Sequence, residues 1–408
     1  MMAELSTFDM LPDEMLLHIC QYLRCADILY CFYNLNTRLN ITIIDFCHYV
    51  NITGVQYKQF QYVALKILPE IGSSIRSIVY HGNWQAVVSD QIRSILFCSN
   101  LSMIFPQLHT LILVSFTGEQ LFTFLDAIKD LVQLVKLDIH YLENIVPEEL
   151  LKKVLAANDG RLKSISFDYD SVDLILTEAQ HDQSISYPNI EELTVGLMKC
   201  EALECLFTLV PNINRLHVNF DDSSNLSLEK LKDMPFLIYL KDFQLRSMDM
   251  YWTFDKISNI LTKMPSLENL ALDLSTEDAC LVNGHNLAAI LPTSLVNLNL
   301  FIIYFLSESC SQSDNLLITW PNHIPITYLL SACHRYAIIH TIPCDLSSIV
   351  IAAQISKQML TGWEYMQKVK HLRIYGSASF TDIPMIVQHF RQLRTLKIDV
   401  DWDSEARM

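Results

Sequence analysis

Residues 267–272 read Leu-Glu-Asn-Leu-Ala-Leu, and residues 295–300 read Leu-Val-Asn-Leu-Asn-Leu. Both are one short phrase: an apolar residue, two residues, an apolar residue, one residue, an apolar residue. Working upstream, the phrase returns at Leu240, Phe243, Leu245, then at Ile213, Leu216, Val218 and at Ile190, Leu193, Val195. Further upstream it stands at Leu162, Ile165, Phe167, at Leu134, Leu137, Ile139 and at Leu108, Leu111, Leu113. An early copy is Ile75, Ile78, Tyr80, and late copies are Val369, Leu372, Ile374 and Leu393, Leu396, Ile398. From Leu108 to Leu295 successive copies start 26, 28, 28, 23, 27, 27 and 28 residues apart. Alternation at the end of each phrase predicts a half-buried strand. Proline supplies an independent mark. Pro106, Pro188, Pro211 and Pro265 each stand two residues before a phrase, and Pro292 stands three before one. Proline cannot continue a helix and pushes the residue before it toward extended backbone, so it marks a helix-to-strand junction each time.

The stretches between phrases predict helices. From Pro147 to Asn158, a proline and two acids (Glu148, Glu149) suit a first helical turn, Leu150, Leu151, Val154 and Leu155 share one face, and Gly160 follows as a stop. Leu121, Leu125, Ile128 and Leu131 form a similar stripe, as do Ile257, Ile260, Leu261 and Met264. Each unit is therefore a strand and a helix that cannot bury both faces alone. The phrase and its period resemble the leucine-rich repeats. That resemblance implies an α/β fold in which strand–helix repeats stack into a horseshoe-shaped solenoid over residues 74–408. The copies are irregular, and the segment 300–368 departs most, with Leu346, Ile349, Ile351 as one cryptic copy and another near Trp320. Asp399, Asp401, Trp402 and Asp403 read as an end cap.

Residues 10–40 have a different character: MLPDEMLLHICQYLRCADILYCFYNLNTRLN. Pro12 with Asp13 and Glu14 reads as a helix start, and Met15, Ile19 and Leu23 follow at four-residue spacing beside Leu16, Leu17 and Cys20. Second and third helices are expected at about 26–33 and 36–49. The ordered series Leu11, Pro12, Glu14, Met15, then Ile19, then Tyr22 and Leu23, then Asp27, Ile28 and Leu29 resembles the F-box. The third helix carries Leu35, Asn36, Arg38 and Leu39 where that family often has a Val-Cys…Trp signature. The resemblance implies a three-helix F-box over residues 1–50, a helical linker over 51–73, and docking onto a Skp1-type adaptor and through it a cullin. By position it assigns the adaptor contact to Leu11, Pro12, Leu16, Ile19, Leu23 and Leu29. For Ile19 and Leu23 the core of a small helical domain is an equal claim.

Together the two resemblances imply a substrate-recognition subunit of a Skp1–cullin–F-box ubiquitin ligase, in which the repeats hold a client protein. Such a chain does no bond chemistry and acts by proximity. The alternative is a leucine-rich-repeat scaffold whose F-box-like helices only cap the solenoid. In a horseshoe the residues between and beside the apolar positions of each phrase line the concave face. Arg and aromatic anchors favour Arg215, Arg246, Phe301, Arg373 and Tyr375 as client-binding residues.

Composition narrows the alternatives. The formal charge is -16 and the pI near 5.2, without the basic stripe of a nucleic-acid binder. The 11 cysteines include no CxxC and no zinc spacing, so buried thiols in a reducing compartment are expected, and neither metal nor cofactor. The most apolar run, Leu300 to Leu306, is far below the ~20 residues of a membrane helix. A protein of the cytoplasm or nucleus, without a membrane partner, is expected. No P-loop, GxGxxG, HExxH or GxSxG pattern occurs. The pairs Cys200/Cys205, Cys333/His334 and Asp168/Asp170 lack an identifiable acid or base partner, and His18 reads as partly buried among leucines. No catalytic residues are expected.

Overall fold

A computed structural model describes residues 11–82, 101–143, 149–168, 171, 174–176, 185–199, 202–220, 228–247, 252–306, 319–330, 336–352, 367–375 and 390–399. Pro147, Glu148, Asp170, Cys200, Cys333, His334, Asp401, Trp402 and Asp403 lie outside the described residues. The fold is mixed α/β, its sheet mostly parallel. It divides into two compact units, the first holding 1–176 and 187–196, the second 177–186 and 197–408.

The first unit opens with helices α1 (Asp13–Cys20), α2 (Cys25–Phe32) and α3 (Thr37–Thr42). Pro12 precedes the first turn of α1, and Asp13 and Glu14 sit at its positive end. Cys20, Ile28 and Ile43 form a small buried cluster that holds the helices together. Helix α3 starts where the Asn36 side chain accepts a hydrogen bond from the Leu39 amide at 2.8 Å. The expected third helix over 36–49 is shorter. It ends at Thr42, and after a 3-10 turn the chain enters strand β1 (Tyr49–Asn51). Residue 50, the expected end of the helical domain, thus lies inside a strand. Helix α4 (Tyr57–Tyr62) follows.

The rest of the first unit carries β2 (Ser77–His81), β3 (Thr110–Val114), β4 (Lys136–His140), β5 (Ser164–Phe167) and β6 (Glu192–Leu197). Neighbouring strands from β1 to β6 pair in parallel. Equivalent phrase positions lie in register: Leu111 opposite Leu137, Leu137 opposite Ile165, Ile165 opposite Leu193. Those side chains are buried, while their strand neighbours face partly into solvent. Each buried leucine or isoleucine contributes roughly 1.5–3 kcal/mol of transfer free energy. A backbone relay sets the register just before the strands. The His109 amide donates to Arg76 O at 2.8 Å, Lys163 to Val135 O at 2.8 Å, and Glu191 to Lys163 O at 2.8 Å.

Helices fill the intervals, as the apolar stripes require. Gly118–Ala127 begins with a capping box, in which Thr117 and Gln120 each accept from the other's amide, a device worth about 1 kcal/mol. Leu150–Leu155 buries the four residues of its stripe. Asn158 then ties this stretch to the one before it within the first unit, because its buried amide donates to Leu131 O at 3.0 Å and Leu134 O at 2.8 Å. Gly160, at φ 70°, takes the left-handed turn that stops the segment.

In the second unit β7 (Arg215–Phe220), β8 (Asp242–Ser247), β9 (Asn269–Thr276) and β10 (Asn297–Phe305) run parallel, again with phrase positions in register. The irregular segment then resolves into two further strands, β11 (Ile326–Leu330) and β12 (Tyr336–Thr341), with β12 antiparallel to β10 and β11 antiparallel to β12. A second, three-stranded parallel sheet follows: β13 (Ser348–Ala352), β14 (His371–Tyr375) and β15 (Thr395–Asp399). The cryptic copy at Leu346, Ile349, Ile351 is the start of that sheet. Around Trp320 the described residues 319–325 form no strand, and β11 begins at Ile326. Among the described residues no helix is long and apolar enough to cross a membrane.

Candidate functional site

Two surfaces carry exposed chemistry. The first is built by α1–α3. A helix bundle this short buries one face of each helix and leaves the rest outside. Tyr22 is 78% exposed, Ile41 66%, Leu35 63% and Met15 50%, and Leu23 is also exposed. These are large apolar side chains left in solvent on a small set of helices. Side-chain contacts fix the geometry. Arg38 of α3 pairs with Asp13 at 2.7 Å and donates to Leu11 O, which pins the turn before α1 to the third helix. Arg24 pairs with Asp27 at 2.7 Å and Gln59 donates to the same carboxylate at 2.7 Å, tying α2 to α4. The Arg24 hydrogen bond, with Gln59, holds the Asp27 carboxyl below the usual carboxylate range. His18 is exposed, not partly buried, and its ring meets Tyr22 edge-on at 5.3 Å.

Of the six residues assigned to an adaptor contact, Pro12 and Leu23 are exposed, and Leu11 and Ile19 are half-buried. Leu16 and Leu29 are buried within this chain's own helices, at 2% and 0% exposure. They correct the expectation: at their positions the helix turns inward, so they support the surface without forming it. Met15, Tyr22, Leu35 and Ile41 take their place outside. For Met15 the spacing carried that signal, since a helix that buries Leu16 and Cys20 turns Met15 outward, while Tyr22 lies in the turn after α1.

The second surface is the outward face of the strands. In the first unit it is open and polar. Lys136, Asp138 and His140 of β4 are half-buried there, with Lys136 3.3 Å from Asp138. His81, Val114 and His140 stand in register at the strand ends. The Asp168 carboxylate accepts from the Tyr141 amide at 3.0 Å and from Ser171 Oγ at 2.5 Å, and lies 3.5 Å from His140 Nδ1. Burial pushes the Asp168 pKa up, but hydrogen bonds from His140, Ser171 and the Tyr141 amide outweigh it and leave it lowered. The hydrogen bond to Asp168 raises the His140 pKa. On His81, burial lowers the pKa against an opposing pull from Glu143.

The same face in the second unit is partly roofed. Phe301, Ile303 and Ile338 pack against Cys344, Leu346, Ile349, Leu372 and Ile374. Arg246 and Asp273, opposite each other in register, are buried at 4% and 0% exposure. Arg246 Nε stands 3.3 Å from Asp273 Oδ2, and Arg246 Nη1 donates to Ser348 Oγ at 2.8 Å. Burial pushes the Asp273 carboxyl up to about 6, with Arg246 pulling it back.

The five client-binding candidates are therefore not brought together. Arg215 is half-exposed and pairs with Asp242 at 3.0 Å, Arg373 is exposed on β14, and Tyr375 ends that strand. Arg246 and Phe301 are corrections, because the chain's own second sheet buries them away from any partner. Beneath the roof's margin lies a cavity of about 810 Å³, lined by Gln244, Asn269, Asn297 and Asn299 among others. Sequence reasoning missed it, since most of its roof residues, Ile324, Pro325 and Ile342 among them, match no phrase. Among the described residues no group of His, Cys, Asp and Glu is placed to hold a metal ion. Compared with known proteins, the chain matches no family model and no curated protein.

Proposed function

We propose that this chain is a substrate-recognition subunit of a Skp1–cullin–F-box ubiquitin ligase, with the N-terminal helices docking a Skp1-type adaptor and the leucine-rich-repeat part holding a client protein. The observation that carries this reading is the exposed apolar surface of α1–α3, centred on Met15, Tyr22 and Leu23 and held in shape by Arg38. It accompanies the ordered Leu11-Pro12 to Leu29 series. No step of bond chemistry is assigned to the chain. It holds a client near a ubiquitin donor, and proximity does the rest.

One observation favours the scaffold reading in part. Helix α2 packs against β1 and α4, so the helices also close the first edge of the sheet. Capping and docking use different faces and are compatible. Deleting residues 1–50 removes most of β1 and is expected to destabilise the first unit under either reading, so a deletion does not separate them. Surface substitutions do. In co-purification with a recombinant Skp1-type adaptor, wild type is retained. The Leu11→Ala, Pro12→Ala double variant is expected to lose more than tenfold, at roughly 1–3 kcal/mol per truncation. A well-folded wild type that fails to capture the adaptor leaves the helices as a cap.

A further inference from the structure

The cavity of the second unit lies between the outward faces of β7–β10 and the returning segments 323–325 and 341–347. Its volume, about 810 Å³, is within the range of ligand pockets, roughly 300–1,000 Å³. Its polar floor is made mainly of side-chain amides: Gln244 on β8, Asn269 on β9, Asn297 and Asn299 on β10. Strands stand about 4.8 Å apart, so amides on three neighbouring strands span ~10 Å, the length of about three extended residues.

Charge selects the ligand. Asp242 and Asp345 line the cavity, but Asp242 is matched by Arg215 at 3.0 Å and His217 at 3.3 Å, and Asp345 by Lys368 at 2.6 Å. Among the described residues no lysine or arginine lines it. A phosphate or carboxylate would meet no lining lysine or arginine, only the imidazoles of His217, already beside Asp242, and His323, and an ammonium would meet only acids already paired. A neutral ligand fits.

Gln244 says what that ligand must offer. The residue is 8% exposed, it lines the cavity, and its Nε2 has no hydrogen-bond partner. A buried N–H donor left unpaired is costly; Nε2 is itself closed off, so a carbonyl from outside would satisfy it once the Gln244 side chain turns toward the cavity. The neighbouring amides are oriented by their own bonds: Asn297 Nδ2 donates to Asn269 Oδ1 at 2.6 Å, and Asn299 Oδ1 accepts from the Asp345 amide at 3.0 Å. A carboxamide presents a donor and an acceptor in one plane, the pair that a peptide group also presents. Ile324, Pro325, Ile342 and Leu346 supply apolar wall.

We infer that this cavity binds a short, uncharged, extended peptide segment, with a backbone carbonyl accepting from Gln244 Nε2 and apolar side chains against the roof. The inference deepens the client-holding half of the proposed function and rests on it only in taking the ligand to be protein.

The test uses the full chain without adaptor. The probe is a fluorescein-labelled set of N-acetylated, C-amidated hexapeptides built from Ala, Leu, Val, Ser, Asn and Gln. Matched sets carry one Glu, Lys or phosphoserine, and binding is read by fluorescence polarisation. The uncharged set is expected to bind, and the charged sets to bind less. Gln244→Leu is expected to weaken binding by roughly tenfold or more while the melting temperature holds or rises, because an unpaired amide is replaced by an apolar group of similar volume. Asn297→Ala, at an exposed position, serves as the second variant if Gln244→Leu does not fold, and is expected to weaken binding several-fold. Absence of uncharged-peptide binding, a preference for charged or phosphorylated peptides, or unchanged affinity in the folded variants overturns the inference. Adaptor capture by the same wild-type preparation is scored in parallel. Capture without peptide binding rejects only this inference, and peptide binding without capture rejects only the docking reading.

Discussion

The outward strand face of the first unit and that of the second are built from the same phrase and meet opposite fates. On β4 the alternate positions are Lys136, Asp138 and His140, half in water, with charges that pair at the surface. On β8 to β10 the alternate positions include Arg246, Asp273, Phe301 and Ile303, all buried beneath the second sheet. A repeated strand phrase therefore dictates which side faces the helices, and leaves the other side to whatever the chain does next. An ion pair has a different meaning on each. Arg215 and Asp242 sit where solvent screens them, with side chains 50% and 28% exposed. Arg246 and Asp273 have no such screen, with side chains 5% and 1% exposed.

The largest expected effect follows from that contrast. Arg246→Ala strands a buried carboxylate and is expected to cost about 3–5 kcal/mol in urea unfolding at pH 7, whereas Arg215→Ala stays within ~1 kcal/mol. Equal costs would erase the distinction between the two faces. The Arg246→Ala cost should shrink below about pH 6, where Asp273 is protonated.

Acid–base behaviour sharpens the comparison next. Burial pushes the folded-state pKa of Asp273 up to about 6, well above the ordinary carboxylate value. Its contribution to stability is therefore fully present below the unfolded value and is lost as pH rises through about 6. Unfolding free energy should fall by up to about 3 kcal/mol across that window from this group, and Asp273→Asn should remove the slope. A slope retained in Asp273→Asn would place its source elsewhere. His140 acts in the same direction: its pKa, raised by the hydrogen bond to Asp168, gives stability below the unfolded value that is lost as pH rises past the folded one.

A smaller effect belongs to the open face. Asp168→Ala leaves the Tyr141 amide and Ser171 without their acceptor and is expected to cost about 1–2 kcal/mol, read by thermal unfolding. Asp168→Asn, which keeps an acceptor oxygen, should cost less. A loss as large as that of Arg246→Ala would mean that the open face is as tightly built as the covered one.

Much of this architecture was legible in the sequence, for stated reasons. The strands at each phrase follow from alternation, and their register follows because one side must bury Leu111, Leu137 and Ile165 together. The covered face had a signal as well. Leu300 to Leu306 is unbroken apolar sequence, the mark of a strand buried on both sides, where the open strands alternate. Arg246 could not be read, because its fate depends on Ser348, 102 residues downstream. Strand β1 escaped because Tyr49-Val50-Asn51 is too short to show a period. At the N-terminus the series from Leu11 to Leu29 located the helices, but a family pattern mixes residues that build a surface with residues that form it. Burial separates them, turning Leu16 and Leu29 inward and Met15 and Tyr22 outward.

That separation also frames the most direct test of the docking claim. Met15→Ala with Tyr22→Ala truncates only exposed side chains, so the melting temperature should stay within a few degrees of wild type. Calorimetric titration of a purified Skp1-type adaptor into the full chain should give saturable binding for wild type and an affinity at least roughly tenfold weaker for this pair. Absence of binding by folded wild type, or equal affinity in the variant, would contradict the assignment of α1–α3 as a docking surface.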